Sequence, residues 1–600
     1  MYMLLIGGGL QTHARRDLHP PTPIQIRVYC PLCWRYWSEK RYRKRPSERG
    51  RVRWMPRVIR QLPSHMVNLD ALIRREDFTV DVDPKKTNAL NQDTKMKIVE
   101  LEASSLWFKW LRKPDFQRTT AQWSPEKVAG FIESYVAGDL IPALILWQSE
   151  TSGIFVIDGA HRLSALIAWV HDDYGDGALS IPFFEMIAPE QKAAADETRR
   201  LVSSKTGSYI EIKHGANLVP DRARFASNLA TLGVTLQWVQ GDASRAERSF
   251  HTINTEQTPI GDLEVRLIRD RRCANAIATR ALVGAGTGRY SPPSFTESVN
   301  TEIKKLACDV YKDLFVPPLE TPIKTLDLPV AGRGYSAETM KLILDFVEFV
   351  NPLPAPDTKT KKRGKKADIL APTMDVDRDG SRTIKFLENV RNASSRIAGL
   401  RPQSLGLHPA VYFYSATGKY QPAAFLAAVR FIQQLEAIDQ LNLFTKQRFD
   451  FEEILVKHKY LINQIVRKFG AGQRSLNGVL RFYRHVFEGV GLGKTEAAII
   501  PTIVEEETMA FLKPIVDFDK GTNSEFTTER KSAVFLAQAL RASLRCSECN
   551  ARLHRNSINF DHVVDKKQGG LGSEDNAALT HPYCNSTYKE WRRTHGDTVG

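Results

Sequence analysis

Cys546-Ser-Glu-Cys549, Asn559-Phe-Asp561-His562-Val-Val564, Gln568-Gly-Gly570, Asn576 and His581-Pro-Tyr-Cys584-Asn585 follow one another near the carboxyl end of the chain. Their spacing separates two kinds of chemistry. C-x-x-C and H-x-x-C are short ligand pairs, 31 residues apart between Cys549 and His581, and together they can wrap one tetrahedral zinc ion as a closed structural site. A segment of ~50 residues buries too little apolar surface to hold two strands and a helix rigidly, so a staple of this kind is expected. Asp561 and His562 are consecutive. Neighbours on a strand face opposite sides, so these two cannot both serve the zinc and must belong to a second site.

Cleaving a phosphodiester requires an activated water, a cation on the phosphate and stabilisation of the departing 3′ oxygen. His562 is the expected general base. Asp561 and Asn585 offer the hard oxygen donors that suit Mg²⁺ or Mn²⁺, whose shell is completed by phosphate and water. Asn576 is expected to tie the intervening loop to the strand and so orient His562. These motifs resemble the HNH family of ββα-metal nucleases over about residues 541–593. The resemblance implies the base role for His562, a structural role for Asn576, metal binding by Asn585 and double-stranded DNA as substrate. The chain departs from the family pattern twice: His581 stands where Cys is commoner, and Lys589 falls one residue later than the usual lysine. In an alternative register His581 binds the catalytic ion, leaving Cys546, Cys549 and Cys584 to the zinc. A different alternative is a zinc knuckle that grips DNA without cutting it, as in a DNA-binding regulator.

Far upstream, Ile154-Phe-Val-Ile157 runs into Asp158-Gly-Ala-His161-Arg162, after which Leu163, Leu166, Ile167 and Val170 recur at helical spacing. The pentapeptide therefore sits at a strand-to-helix turn. Free N–H groups and the dipole of a helix start favour phosphate there, and Gly159 lets the backbone bend. The alternative is Asp158 as a helix cap with His161 and Arg162 on the surface. Phe116-Gln-Arg118, Trp123, a strand within Ile141–Leu146, the 158–162 turn, Phe250-His-Thr-Ile-Asn254 and Glu264 occur in this order. Together they resemble the DGQHR/DGQQR branch of the ParB/sulfiredoxin-like superfamily over about residues 100–270. Members of that branch occur in modification-dependent restriction proteins of the GmrSD and SspE kind, and in DndB, a regulator linked to phosphorothioate DNA. The resemblance implies a nucleotide-binding or nucleotide-hydrolysing sensor, with a nucleoside triphosphate as its ligand. Asp158, Gly159, His161 and Arg162 would contact phosphates or activate water, and Arg118 and Asn254 would line the pocket. Ala160 replaces the usual Gln, which removes a polar group from that chemistry.

Six hundred residues exceed what one hydrophobic core organises, so an α+β multidomain protein is expected. Its parts would be a basic arm (1–70), a ParB-like mixed α/β domain (71–285), a largely helical connecting domain (286–540) with a linker near 351–380, and a small zinc-stapled HNH domain (541–600). Pro422–Leu435 and Phe451–Phe469 carry the clearest helical patterns of the connecting domain. Hydrophobic content of 42% with 25% charged residues fits packed globular structure. No apolar run is long enough to span a bilayer, so a cytoplasmic protein without membrane partners is expected. The expected partners are double-stranded and modified DNA, a nucleotide, and either a second copy or another defence-system protein.

The net charge of +16 is uneven: residues 1–60 hold fourteen Lys or Arg against three acids, leaving only about +5 for the other 540 residues. Trp34, Tyr36, Trp37 and Tyr42 among those arginines suit either nucleic-acid binding or a solvated tail. Cys30-Pro-Leu-Cys33 has no second ligand pair nearby. Gly489-Val-Gly-Leu-Gly-Lys-Thr495 imitates a phosphate loop, but Glu488 occupies the first glycine position and Leu480–Phe487 reads as helix where a strand is needed. Cys273 and Cys308 are isolated and read as packing residues.

Overall fold

The computed structural model describes residues 66–595 except 77, 79–92, 116, 118–119, 150–152, 186, 216–218, 258–261, 289, 293, 335–336, 353–373, 471 and 514–524. The basic arm up to residue 65, Arg118 and residues 353–373 of the expected linker lie outside the described residues.

A mixed sheet organises the first half. Its strands are β1 (Arg74–Glu76), β2 (Lys95–Lys97), β3 (Leu111–Pro114), β4 (Leu144–Ser149), β5 (Gly153–Asp158) and β6 (Gly233–Trp238), in the spatial order β1-β3-β5-β4-β6-β2. β4 and β5 form an antiparallel pair at the centre, β6 runs parallel to β4, and β2 closes that edge antiparallel to β6. β4 starts at Leu144 and not at Ile141, because Pro142 has no N–H to give to a ladder.

Strand alternation splits the core in two. Leu144, Leu146, Val156, Val234 and Leu236 face one cluster. Ile145, Trp147, Phe155 and Ile157 face another. The first is covered by α1 (Pro125–Ala137) and α2 (Ala160–His171). In α1, Ser124 accepts a hydrogen bond from the Lys127 N–H, Pro125 sits in the first turn and Gly138 stops the helix at φ 85°, so its apolar stripe, Val128, Ile132 and Tyr135, is fixed against the sheet. The second face is covered by α3 (Ala243–Gln257), through Ala243, Ala246 and Phe250. Val67, Leu69, Leu72 and Ile73 are buried in the first cluster, and the fully buried Lys113 on β3 donates to Asp70 Oδ1 at 2.6 Å.

The second half is helical: α4 (Ser381–Ile397), α5 (Pro422–Ala437), α6 (Leu441–Lys457), α7 (Lys459–Phe469) and α8 (Gln473–Gly491) share one apolar cluster that runs from Ile277 to Tyr588. The expected helix Phe451–Phe469 is two helices, because the backbone leaves helical geometry at His458 (φ −106°, ψ 24°), whose ring lies 2.6 Å from Glu496. The glycines of 489–493 end α8 with no strand leading into them, so the phosphate-loop imitation is a helix terminus. Among the described residues no helix is long and apolar enough to cross a membrane.

The carboxyl-terminal segment adds a two-stranded antiparallel sheet, β7 (Asn559–His562) and β8 (Ala577–Thr580), followed by a π-helical turn Cys584–Tyr588 and α9 (Lys589–His595). It does not fold on a core of its own. Cys546, Cys549, Ala551, Leu553, Tyr583, Cys584 and Tyr588 belong to the helical cluster. Beneath them lies a buried polar network. Arg448 and Glu452 pair at 2.7 Å on α6, Glu452 also accepts from Tyr412 Oη and from the Arg552 N–H at 3.1 Å each, and Arg448 donates to the Gly406 carbonyl at 3.0 Å.

Candidate active site and metal centre

Cys546, Cys549, His581 and Cys584 converge, with all four ligand atoms within 4.8 Å of one another and all four side chains buried. His581 Nδ1 lies 3.4 Å from Cys549 Sγ and 3.8 Å from Cys584 Sγ, while its Nε2 is 3.1 Å from the Arg552 carbonyl. A carbonyl can only accept, so it fixes the proton on Nε2 and turns the Nδ1 lone pair to the sulfurs, as a second-shell partner does for a metal-bound imidazole. Burial pushes the Cys584 thiol well above its ordinary value, a cost that a cation among the sulfurs removes. The donor set therefore fits a metal ion.

On the other side of β8, β7 presents Asp561 opposite Ala578 and His562 opposite Ala577. Asp561 Oδ1 accepts the His562 N–H at 2.8 Å, and its Oδ2 accepts from Lys589 Nζ at 2.6 Å. Lys589 also reaches the His562 carbonyl at 3.3 Å. The π-helical turn explains how a lysine one residue late still arrives: an i→i+5 turn absorbs one extra residue before α9 begins. The His562 ring is half-buried and makes no hydrogen bond among the described residues. Asn585 follows Cys584 on the π turn, its N–H donating to the His581 carbonyl at 3.0 Å.

Asn576 bonds to both ends of the loop that follows β7. Its Oδ1 accepts the Val564 N–H at 2.7 Å, its Nδ2 donates to the carbonyls of Leu571 (2.7 Å) and Val564 (3.2 Å), and its own carbonyl accepts the Val563 N–H at 3.0 Å. Four bonds from one residue hold the chain that leaves His562. Gly570 is the counterpart, since a Cβ there would stand 1.8 Å from the Val564 carbonyl oxygen.

The 158–162 turn lines a cavity of about 810 Å³ walled by Trp123, Phe131, Pro142 and Phe250. The helix cap is Gly159, at φ 91°, and not Asp158, which is the last residue of β5. Asp158 Oδ2 binds Arg162 Nη2 at 2.7 Å, and Arg162 Nη1 donates to the carbonyls of Pro142 (2.6 Å) and Ala143 (3.2 Å). The guanidinium is thus directed at backbone and at its own turn. The His161 ring stacks on Trp123 at 5.8 Å, and Lys127 Nζ sits 4.8 Å above the same indole. Lys127 lines this cavity without having been singled out in the sequence, and so does Gln117, which the motif series held only as the middle of Phe116-Gln-Arg118. Asn254 lies on α3, its side chain outside the described residues; Phe250 on the same helix faces the cavity.

Comparison with family models matches residues 97–269 to the N-terminal domain of the GmrSD restriction endonuclease and residues 546–590 to the HNH endonuclease. Together these two domains match a GmrSD-type restriction protein. No curated protein and no solved structure matches the chain. The HNH match encloses the Cys₃His cluster, Asp561, His562, Asn576 and Lys589. The GmrSD match encloses β3 to α3 and the 158–162 cavity. A GmrSD N-terminal domain joined to an HNH domain supports a nuclease of a restriction system, with DNA as substrate.

Proposed function

We propose that this chain is a metal-dependent DNA endonuclease of an anti-phage restriction system, in which the HNH domain cuts and the GmrSD N-terminal domain senses a nucleotide or a DNA modification such as phosphorothioate. The observation that supports the cutting role best is the pairing of Asp561 and His562 at the end of β7 with a loop pinned by Asn576, beside a Cys₃His cluster suited to Zn²⁺. Asp561 and Asn585 are the residues that would hold Mg²⁺ or Mn²⁺. Such an ion supplies charge on the scissile phosphate and on the leaving oxygen.

The chain's own groups do the rest. His562 takes the proton of the attacking water through its ring nitrogen, its backbone held by the Asp561 carboxylate and Lys589. Lys589, beside Asp561, adds a positive charge where the phosphate's negative charge must be accommodated. The 810 Å³ cavity is large enough for a nucleotide-sized ligand and supports the sensing role. With Arg162 bonded to two carbonyls and Asp158, and Ala160 in place of a polar residue, binding is the more direct expectation for this cavity and hydrolysis the less direct one.

Plasmid cleavage in Mg²⁺, in Mn²⁺ and in chelator, with unmodified, phosphorothioate and base-modified DNA and with each nucleoside triphosphate, tests both halves. Cutting that requires the ion and changes with modification or nucleotide is expected. Cutting indifferent to both variables removes the sensor and leaves a plain nuclease. Binding without cutting under every condition leaves a DNA-binding regulator with a zinc knuckle.

A further inference from the structure

Beyond α3 this face of the sheet is exposed among the described residues, and it is basic. On β6, Thr235 and Gln237 are exposed and share the face on which Ile145 of β4 lies in register with Gln237. β2 continues this face, because Lys95 pairs with Thr235 and Lys97 with Gly233, and side chains directly opposite in a ladder lie on the same side. Both lysines are exposed. Across from them α3 presents Arg245, Arg248 and Thr252, all exposed, and a groove of about 420 Å³ runs between the helix and the strand ends. Phe250, on the other side of α3, faces the 158–162 cavity, so the helix separates two different sites.

The groove's lining contains no acidic residue; its polar groups are Arg245, Arg248, Gln237, Ser249 and Thr252, with Trp238 at its wall. None of Lys95, Lys97, Arg245 and Arg248 is in an ion pair among the described residues, although most arginines of this domain are, Arg75, Arg112, Arg162, Arg199, Arg200, Arg222, Arg266 and Arg271 among them. Of the acids beside them, Glu100 accepts the Lys97 N–H at 2.7 Å, Asp242 accepts the Arg245 N–H at 2.9 Å, and Glu247 pairs with Arg271 at 3.3 Å. Two cations from β2 and two from α3, with the hydroxyl and amide groups of Thr235, Gln237, Ser249 and Thr252 beside them, offer partners for phosphate and none for a cationic ligand.

We propose that this groove is a second DNA contact, in which Arg245, Arg248, Lys95 and Lys97 take backbone phosphates of the duplex at a distance from the cutting centre. It deepens the nuclease reading, since DNA is the polyanion a restriction nuclease must hold, but it concerns binding alone. The contact is independent of sequence, because phosphates carry none.

The test is fluorescence anisotropy of a short labelled duplex with the full chain, without added divalent cation, across a salt series. Each phosphate contact contributes about 0.9 to the slope of log affinity against log salt, so Arg245→Ala/Arg248→Ala is expected to flatten that slope by about 1.8 and to weaken binding at low salt. Lys95→Ala/Lys97→Ala should do the same from the neighbouring strand, which keeps the test alive if either double variant folds poorly. Arg474→Ala/Lys494→Ala removes the same net charge from exposed positions on the helical half and should leave the slope unchanged. Unchanged slopes in both groove variants overturn the proposal, and so does an equal change in the control. Because nothing is cut in this assay, a failed nuclease reading would show in cleavage and a failed groove would show here.

Discussion

Two strand ends in this chain carry an aspartate and a histidine close together, and the two pairs stand in opposite surroundings. At the end of β5, Asp158 is neutralised within its own turn by Arg162, and His161 is stacked on Trp123 inside a cavity. At the end of β7, Asp561 is neutralised from another element, by Lys589 of α9, and the neighbouring surface is open: Phe560, Val563 and Leu571 are 71%, 67% and 76% exposed. A charge balanced locally inside a cavity suits a small enclosed molecule. A charge balanced by a distant, basic helix on an open face suits a polymer that lies across it. On the function proposed above, the same pair of residue types serves a sensor in one place and a cutter in the other, and the difference lies in where the countercharge comes from.

The comparison also concerns how each site is supported. The sheet domain has its own core, whereas the HNH segment borrows that of the helical domain through Arg448 and Glu452. Arg448→Met leaves Glu452 charged and buried, and should destabilise the helical and HNH parts by about 3–5 kcal/mol, with much of the loss recovered in Arg448→Met/Glu452→Leu. Thermal unfolding of both variants reads this; if the single variant melts like the parent, the shared core is not what holds the HNH segment.

Acid should act on the same junction. Burial lowers His554 from its ordinary value to about 4, and its ring lies 5.6 Å from that of His408, which burial also lowers. Between pH 6.5 and 4 the unfolded chain binds the His554 proton and the folded one does not, so stability is full above this window and falls as pH drops through it. The His554 share is about 3 kcal/mol. Denaturant midpoints from pH 7 to 4.5 should fall less steeply in His554→Phe than in the parent, and parallel curves would remove the assignment.

The smallest effects separate the two strand ends directly. A Cβ at Gly570 meets backbone, and one at Gly159 meets the Leu144 side chain at 2.4 Å on a left-handed residue. Each substitution to Ala should cost about 1–3 kcal/mol locally. Gly570→Ala should reduce cleavage without moving the sheet domain's ligand binding, and Gly159→Ala should do the reverse. A shared phenotype would mean that the two sites are not independently built.

The Cys₃His cluster was legible because its ligands come in two short pairs whose spacing is set by coordination geometry. His581 joins the three cysteines there, whereas the parts given to His562, Asn576 and Asn585 rested on the resemblance to HNH nucleases. Lys589 was visible only as a misplaced residue, since a π turn cannot be read from spacing alone. Arg448 and Glu452 at i,i+4 look like a surface pair, and only tertiary packing buries them. Around 158–162 the strand and helix were clear from periodicity, but the cap is Gly159, and the carbonyls that capture Arg162 come from Pro142 and Ala143, twenty and nineteen residues away. Long-range partners of that kind leave no local pattern.

Cleavage of a supercoiled plasmid by His562→Ala, with zinc content and melting measured on the same sample, bears most directly on the cutting centre. A fall of about 10²–10⁴ in rate with one zinc per chain retained and an unchanged melting curve is expected. Cutting at the parent's rate would contradict the role given to His562 and, with it, the placement of the active site at the end of β7.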